Sequence, residues 1–313
     1  MPAHPVDLEQ ALARLAAGGV VAIPTETVYG LAADAADEAA LRRIFATKGR
    51  PMSNPLIVHL PDAAAVDDWA AAVDAPTRAL LAAFWPGPLT VVLPAREHVP
   101  RLVTAGGDSV ALRVPAHPLA RELLRRFGRA LCAPSANRSG YVSPTTAEHV
   151  LVDYPDHDVA VLDGGACPAG IESTIVRPLG GVLQVLRPGA VPLAALRSAW
   201  PGPVEVVARS EVAVPGSAPR HYAPATPVVE AGRQALQAAG PATGVIARGA
   251  APATAGAVVR LLPDEPKAFA SALYATLREL DGLGLERILV EALPGGEDWT
   301  ALRNRLARAT HPG

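Results

Sequence analysis

Five short segments concentrate side chains suited to phosphate and carboxylate chemistry. The first, PTETVYG at residues 24–30, follows the apolar run 20–23 and offers three side-chain hydrogen-bonding groups at the C-terminal end of an expected strand. That edge is where open α/β sheets hold ligands, although the same residues also suit a turn that caps the next helix. The second, KGRPMSNP at 48–55, ends a helix with two cations around a glycine. Cations there complement a helix dipole in any protein, but Pro51 and Pro55 stiffen the backbone so that Lys48, Arg50 and Asn54 could converge on a triphosphate. His59 sits in the apolar run LIVHL and, taken alone, reads as a core histidine rather than a ligand. The third, CAPSANRSG at 132–140 followed by Ser143 and Pro144, again places small polar side chains between a strand and a helix, an arrangement that offers N–H groups and hydroxyls to an anion. The fourth, GGACPAGIESTI at 164–175, enters a strand through Glu172, Ser173 and Thr174, and the fifth, LRPG at 186–189, puts Arg187 at a strand end.

The elements that must position these segments alternate. Helical spacing covers residues 7–17, 37–47, 63–71, 76–84, 118–127 and 144–152, and short apolar runs predict strands at 20–23, 56–60, 89–93, 109–114, 130–132, 159–162, 173–177 and 183–186. The pattern predicts a mixed α/β domain over residues 1–208. Residues 209–227 carry several prolines without periodicity and read as a linker. Beyond it, strands at 228–230, 244–247 and 288–291 and helices at 233–239, 267–280 and 298–309 predict a smaller Rossmann-like α/β domain over 228–313.

Composition narrows the function classes. The balance of 28 basic to 30 acidic residues lacks the excess expected of a protein that lives on nucleic acid or an anionic membrane, so any basic surface is local. Cys132 and Cys167 lie apart, without disulfide or zinc-ligand spacing, which suits a reducing cytoplasm. No apolar run is long enough to span a membrane, and the N-terminus lacks a signal-peptide pattern. The P-loop, dinucleotide, zinc-protease and serine-hydrolase signatures are all absent, so nucleotide chemistry would need another cradle.

Taken in order, the five segments resemble the YrdC/Sua5 family, whose hallmark tetrad joins a KxR half, here Lys48 and Arg50, to an SxN half, here Ser135 and Asn137. The resemblance extends through SVALR at 109–113, GIESTIV and LRPGAV, and PG at 215–216 with RHYAP at 220–224 is similar to the longer two-domain form. It implies a YrdC-like twisted mixed sheet with helices, and an enzyme that makes L-threonylcarbamoyladenylate from L-threonine, bicarbonate and ATP. The adenylate would then pass to a tRNA threonylcarbamoyltransferase system for t6A at tRNA position 37. Carried over by position, Thr27, His59, Arg113 and Ser173 face L-threonine, with Arg113 as a fork for its carboxylate. Lys48, Arg50, Asn54, Ser109, Ser135, Asn137, Ser143, Arg187 and Tyr222 face ATP. Some relatives carry threonine two residues before the SxN serine; Ala133 stands there, so any contact falls to backbone.

The expected chemistry is positioning and charge neutralisation by Lys48 and Arg50, with Mg2+ held through ATP phosphates and Glu26 and Glu172 ordering loops rather than holding metal. The linker is expected to fold back over the site, bringing Tyr222 to the nucleotide, with the last domain as its anchor. Two other readings stand beside this one. A face lined by Lys48, Arg50, Arg113 and Arg187 would attract RNA phosphate and admits a weak tRNA contact, and a carbamoyl-phosphate-dependent transferase would share the YrdC-like domain.

Overall fold

The computed structural model describes residues 2–207, 212–216 and 220–311. The expected boundary at Ala208 and Arg209, and Pro219 in the expected linker, lie outside the described residues.

Among the described residues the strands are β1 (His4–Val6), β2 (Val21–Ile23), β3 (Gly30–Asp34), β4 (Ile57–His59), β5 (Leu89–Pro94), β6 (Ser109–Arg113), β7 (Leu131–Cys132), β8 (Ala160–Leu162), β9 (Thr174–Leu179), β10 (Val182–Arg187), β11 (Val204–Val206), β12 (Val228–Ala231), β13 (Thr243–Arg248), β14 (Val258–Leu262) and β15 (Arg287–Glu291). The α-helices are α1 (Leu8–Ala16), α2 (Glu38–Lys48), α3 (Val66–Trp69), α4 (Ala75–Phe84), α5 (Arg101–Thr104), α6 (Pro118–Phe127), α7 (Ala147–Asp153), α8 (Leu193–Ala199), α9 (Arg233–Gln237), α10 (Pro266–Asp281) and α11 (Thr300–Ala309). The sequence pattern does not predict β1, β3, β11 or β14. β3, reading GLAAD, is buried at every position and has neither alternation nor β-branched residues to mark it. Helix α7 starts later than its spacing suggests because Thr146 caps it, its hydroxyl accepting from His149 N.

The first eleven strands form one twisted mixed sheet in the order β1-β8-β2-β3-β7-β4-β6-β5-β9-β10-β11. Helices cover both faces around β2 and β3. Val21, Ile23 and Ala32 pack with Ala11 and Leu15 of α1 and Leu123 of α6, while Ala22, Leu31 and Ala33 pack on the opposite face with Leu41, Ile44 and Phe45 of α2. This double burial explains why these strands read as continuous apolar runs. Farther along, Ile57, Val92, Ala111 and Ile175 share a sheet face covered instead by Val214, a residue of the segment joining the two sheets. The remaining strands form a separate all-parallel sheet, β12-β15-β13-β14, flanked by α10 and α11.

The second sheet's helices dock on the first through a common core in which Val28, Val142, Ile171 and Tyr222 pack among Phe269, Leu273, Leu302 and Leu306. Gly170, at φ +67°, lets its loop approach α10 so closely that a Cβ there would stand 2.5 Å from the Ala270 carbonyl oxygen. Polar contacts fix the orientation. Arg278 of α10 pairs with Asp153 at 2.7 Å, both side chains being buried. Removing one member of such a pair strands the other charge in a low dielectric. Arg278→Leu should therefore lower the unfolding free energy by about 3 kcal/mol in urea titrations, and adding Asp153→Asn should recover part of that loss. An unchanged midpoint would show that the pair does not secure the domain contact.

Candidate active site

The site is assembled from loops at strand ends of the large sheet and from the loop that leaves helix α2. In the PTETVYG turn Thr25 organises the backbone, its hydroxyl accepting from Thr27 N and Val28 N and donating to the Val28 carbonyl at 2.6 Å. Gly30 is required because the 133–135 segment runs alongside: a Cβ would meet the Ala133 Cβ at 3.1 Å. Tyr29 and Leu31 exchange backbone bonds with this segment, Ala136 N donating to the Tyr29 carbonyl and Leu31 N to the Pro134 carbonyl. Two sequence-distant loops are thereby locked side by side.

Lys48 ends α2, and Gly49 at φ +61° turns the chain out of the helix. The Lys48 ammonium donates to the carbonyls of Ser135 and Asn137, each at 2.5 Å, and Ser139 N returns a bond to the Lys48 carbonyl. The KxR and SxN halves thus meet through backbone oxygens. Arg50 donates to the carbonyls of Asn54 and Pro55. Arg187, at the end of β10, donates to the Ser173 carbonyl and hydroxyl and to the Pro215 carbonyl. All three cations are buried, at 3%, 8% and 5% exposure, and among the described residues none of them forms an ion pair with a carboxylate. Burial depresses each: Lys48 falls well below the usual lysine range, with Arg50 adding to the effect, and Arg50 is brought down to about 10.

Arg50 and Arg187 line one cavity together with Thr27, His59, Arg113, Ser135, Ser173 and Tyr222. Arg113 pairs at 2.7 Å with Glu26, whose other oxygen accepts from Ala116 N. Burial would raise Glu26, but Arg113 outweighs it and keeps the carboxylate below its ordinary value. Burial and the neighbouring Arg113 hold His59 neutral, down to about 3. Pro215, Gly216, His221 and Tyr222 close the cavity like a strap, and the Tyr222 ring stacks on Tyr274 at 5.9 Å with the Arg305 guanidinium over it. The space left inside is about 40 Å³, room for a few waters and far below the several hundred Å³ of a typical ligand pocket.

The expected residues therefore fall into three groups. Thr27, Arg50, His59, Ser135, Arg113, Ser173, Arg187 and Tyr222 converge on the cavity. Lys48, Asn54, Asn137 and Ser143 sit behind its wall. Asn137 donates to the carbonyls of Arg138 and Tyr141, the side-chain oxygen of Asn54 is buried without a partner among the described residues, and Ser143 donates to Glu172 at 2.6 Å. Ser109 is not brought in. It begins β6 opposite Pro94, whereas Arg113 at the cavity ends that strand, about 13 Å away at the rise of an extended chain.

Glu172 orders the structure, in keeping with the loop-ordering role expected of it: it accepts from Ser143, Tyr274 and Arg305, and although burial opposes its charge, Arg305 and Arg187 hold it at about 2. Sequence reading missed Thr25, His221, Tyr274 and Arg305. For Arg305 a signal existed, since it shares the buried stripe of α11 with Leu302, Leu306 and Ala309, where an unpaired arginine would be costly. Among the described residues no group of three or more His, Cys, Asp or Glu side chains could hold a metal.

A family profile described as Sua5_yciO_yrdC, telomere recombination, matches residues 13–189, and one described as the C-terminal domain of threonylcarbamoyl-AMP synthase matches 188–310. The chain is 38% identical to a threonylcarbamoyl-AMP synthase of Pyrococcus abyssi, over 94% of this chain and 91% of that protein. It is 36% identical to one of Bacillus subtilis, over 96% and 92%. The crystal structure of P. abyssi Sua5 complexed with L-threonine superposes with a TM-score of 0.87 at 34% identity, covering 99% of this chain and 97% of that one.

Two buried neutral histidines make the stability of this region depend on pH. His59 and His221 are each held down to about 3, burial being the main cause, so between that value and 6.5 the unfolded chain binds protons that the folded chain does not. Their contribution is present above pH 6.5 and falls as the pH drops, by about 2 kcal/mol each between pH 7 and 5. His59→Gln and His221→Gln should each flatten the loss measured in urea titrations over that interval. Parallel curves for variants and parent would show that these rings do not titrate as buried groups.

Proposed function

We propose that this chain, which belongs to the Sua5/YciO/YrdC family, condenses L-threonine, bicarbonate and ATP into L-threonylcarbamoyladenylate and pyrophosphate. It is in this reading a cytoplasmic nucleotidyltransferase that serves the t6A modification of tRNA. The observation that carries the proposal is the trio Lys48, Arg50 and Arg187, buried together and answered, among the described residues, by carbonyl oxygens rather than carboxylates. A protein maintains buried cations outside ion pairs where a ligand of opposite sign completes the site, and the triphosphate of ATP is such a ligand. Burial of these cations also argues against a duplex RNA surface, which needs exposed charge to reach the phosphate backbone.

The carbamate formed from the threonine amine and bicarbonate is nucleophilic but decomposes in water. In the proposed reaction its oxygen attacks the α-phosphorus, the bond to the β-phosphate oxygen breaks, and pyrophosphate leaves with that electron pair. Arg50 and Arg187 bind the developing charge on the phosphates, and Lys48 holds the Ser135–Asn137 loop against them. Arg113 and Ser173 orient the amino acid, and the strap carrying Tyr222 excludes water. The described residues form no carboxylate cage for Mg2+; the ion belongs with the nucleotide, as part of the substrate, and no residue here is assigned to it.

The direct test is mass-spectrometric detection of threonylcarbamoyl-AMP after mixing the full chain with ATP, Mg2+, L-threonine and bicarbonate; absence of the adenylate, or its formation from carbamoyl phosphate alone, overturns the proposal. Arg50→Ala and Arg187→Ala should each slow adenylate formation about a hundredfold, equivalent to ~3 kcal/mol of lost charge stabilisation. Ser173→Ala should raise KM for threonine more than KM for ATP. Equal effects on both would remove Ser173 from the amino-acid side of the cavity.

A further inference from the structure

The closed cavity has a neighbour. Between the two sheets a cleft of about 590 Å³ opens, with Glu26, Pro88 and Ile171 on the side of the first sheet and Lys267 and Ala301 on the side of α10 and α11. Both Glu26 and the Gly87–Pro88 turn touch Arg113: Glu26 Oε1 lies 2.7 Å from one guanidinium nitrogen, and Arg113 Nε donates to the Gly87 carbonyl at 3.3 Å. Arg113 itself lines the closed cavity. One ion pair, Glu26 with Arg113, thus has a member on each side, the carboxylate on the cleft and the guanidinium on the cavity. None of the described strap residues that close the cavity lines the cleft, so the cleft is open where the strap is shut.

Building on the proposed reaction, we propose that L-threonine enters through this cleft and that Glu26 is a positioning residue that passes it inward. The amino acid's carboxylate takes Arg113 from Glu26 while its ammonium takes the freed Glu26 carboxylate. Breaking a buried ion pair without replacement is strongly unfavourable. A zwitterion supplies both replacements at once, whereas an amine or a carboxylic acid alone leaves one buried charge unanswered. The cleft's charge fits this ligand and not the nucleotide. Glu26, Glu265, Glu297 and Asp298 face it against Lys267, with Arg197 pairing Glu297, and the resulting field repels a triphosphate. ATP is thereby assigned to the strap side and threonine to the cleft side.

The test blocks the cleft without touching the cavity. Ala301→Cys places a thiol on the cleft wall, while Cys132 and Cys167 are buried and do not compete for a bulky maleimide. Uptake of radiolabelled L-threonine by the full chain is followed by rapid filtration before and after labelling, with KM for ATP measured alongside. Labelling should slow threonine association at least tenfold and leave KM for ATP unchanged. Threonine uptake at the unlabelled rate, or equal loss for both substrates, overturns the route while leaving the proposed reaction standing. If the unlabelled variant binds no L-threonine, the reaction and the route fall together. Glu26→Gln should raise KM for threonine about tenfold with little effect on KM for ATP, and Glu26→Asp should restore part of the loss. A Gln variant that folds and shows an unaltered threonine KM removes Glu26 from the route.

Discussion

Three buried cations that, among the described residues, form no ion pair with a carboxylate set the terms for the rest of this protein. Desolvation opposes the charge on Lys48, Arg50 and Arg187, and the partners that offset it are the carbonyls of Ser135, Asn137, Asn54, Pro55, Ser173 and Pro215. A carbonyl inside a strand or helix is already engaged by its ladder or its turn. Free carbonyls aimed at a common point therefore require irregular backbone, and irregular backbone stays in place only when it is stiff. The prolines at 51, 55, 134, 188 and 215 lie in or beside these segments, and the sheet behind them supplies the rigid frame.

The second domain contributes to this arrangement by completing the cover rather than by facing the cavity. Glu172 sits next to Ser173 and is a carboxylate close to Arg187, yet Arg305 and Tyr274, on helices of the second sheet, occupy it. Glu172 lines the cavity beside Arg187, and these two partners engage its carboxylate in place of an ion pair with that arginine. Tyr274 also supports the ring of Tyr222, so the same two helices hold the carboxylate away and the strap down.

Much of the site could be read from the sequence because its residues come in short blocks that border strands or, for KGRPMSNP, end helix α2, and element ends are where side chains and carbonyls are exposed to a ligand. Thr27, Arg50, Ser135, Ser173 and Arg187 were accessible in that way, each within a few residues of an apolar run. Burial partners were harder to read. Whether Lys48 points into the cavity or behind it depends on where the Ser135–Asn137 backbone passes, which is a tertiary fact with no local signature. Ser109 lies in a matching stretch but does not line the cavity, because a strand carries its two ends to different places. β3 went unpredicted for a like reason, since its run GLAAD takes its extended form from β2 and β7 on either side.

The strap closes the cavity with interactions that a charged ligand can replace. Tyr222 holds a left-handed backbone at φ +60°, a conformation unfavourable by roughly 1 kcal/mol or more for a residue with a Cβ, and its hydroxyl is buried against Gly216 without a hydrogen-bond partner among the described residues. Aromatic packing with Tyr274 and His221 offsets these penalties. The strap's grip on the cations is a neutral one, the Pro215 carbonyl accepting from Arg187 at 3.0 Å. A phosphate oxygen makes a charge-assisted bond to the same guanidinium about twice as strong as that carbonyl can. For the proposed nucleotide, then, the strap's contact with the cations is one that a phosphate oxygen outcompetes, while its Tyr222 ring stays anchored on Tyr274 of the second domain.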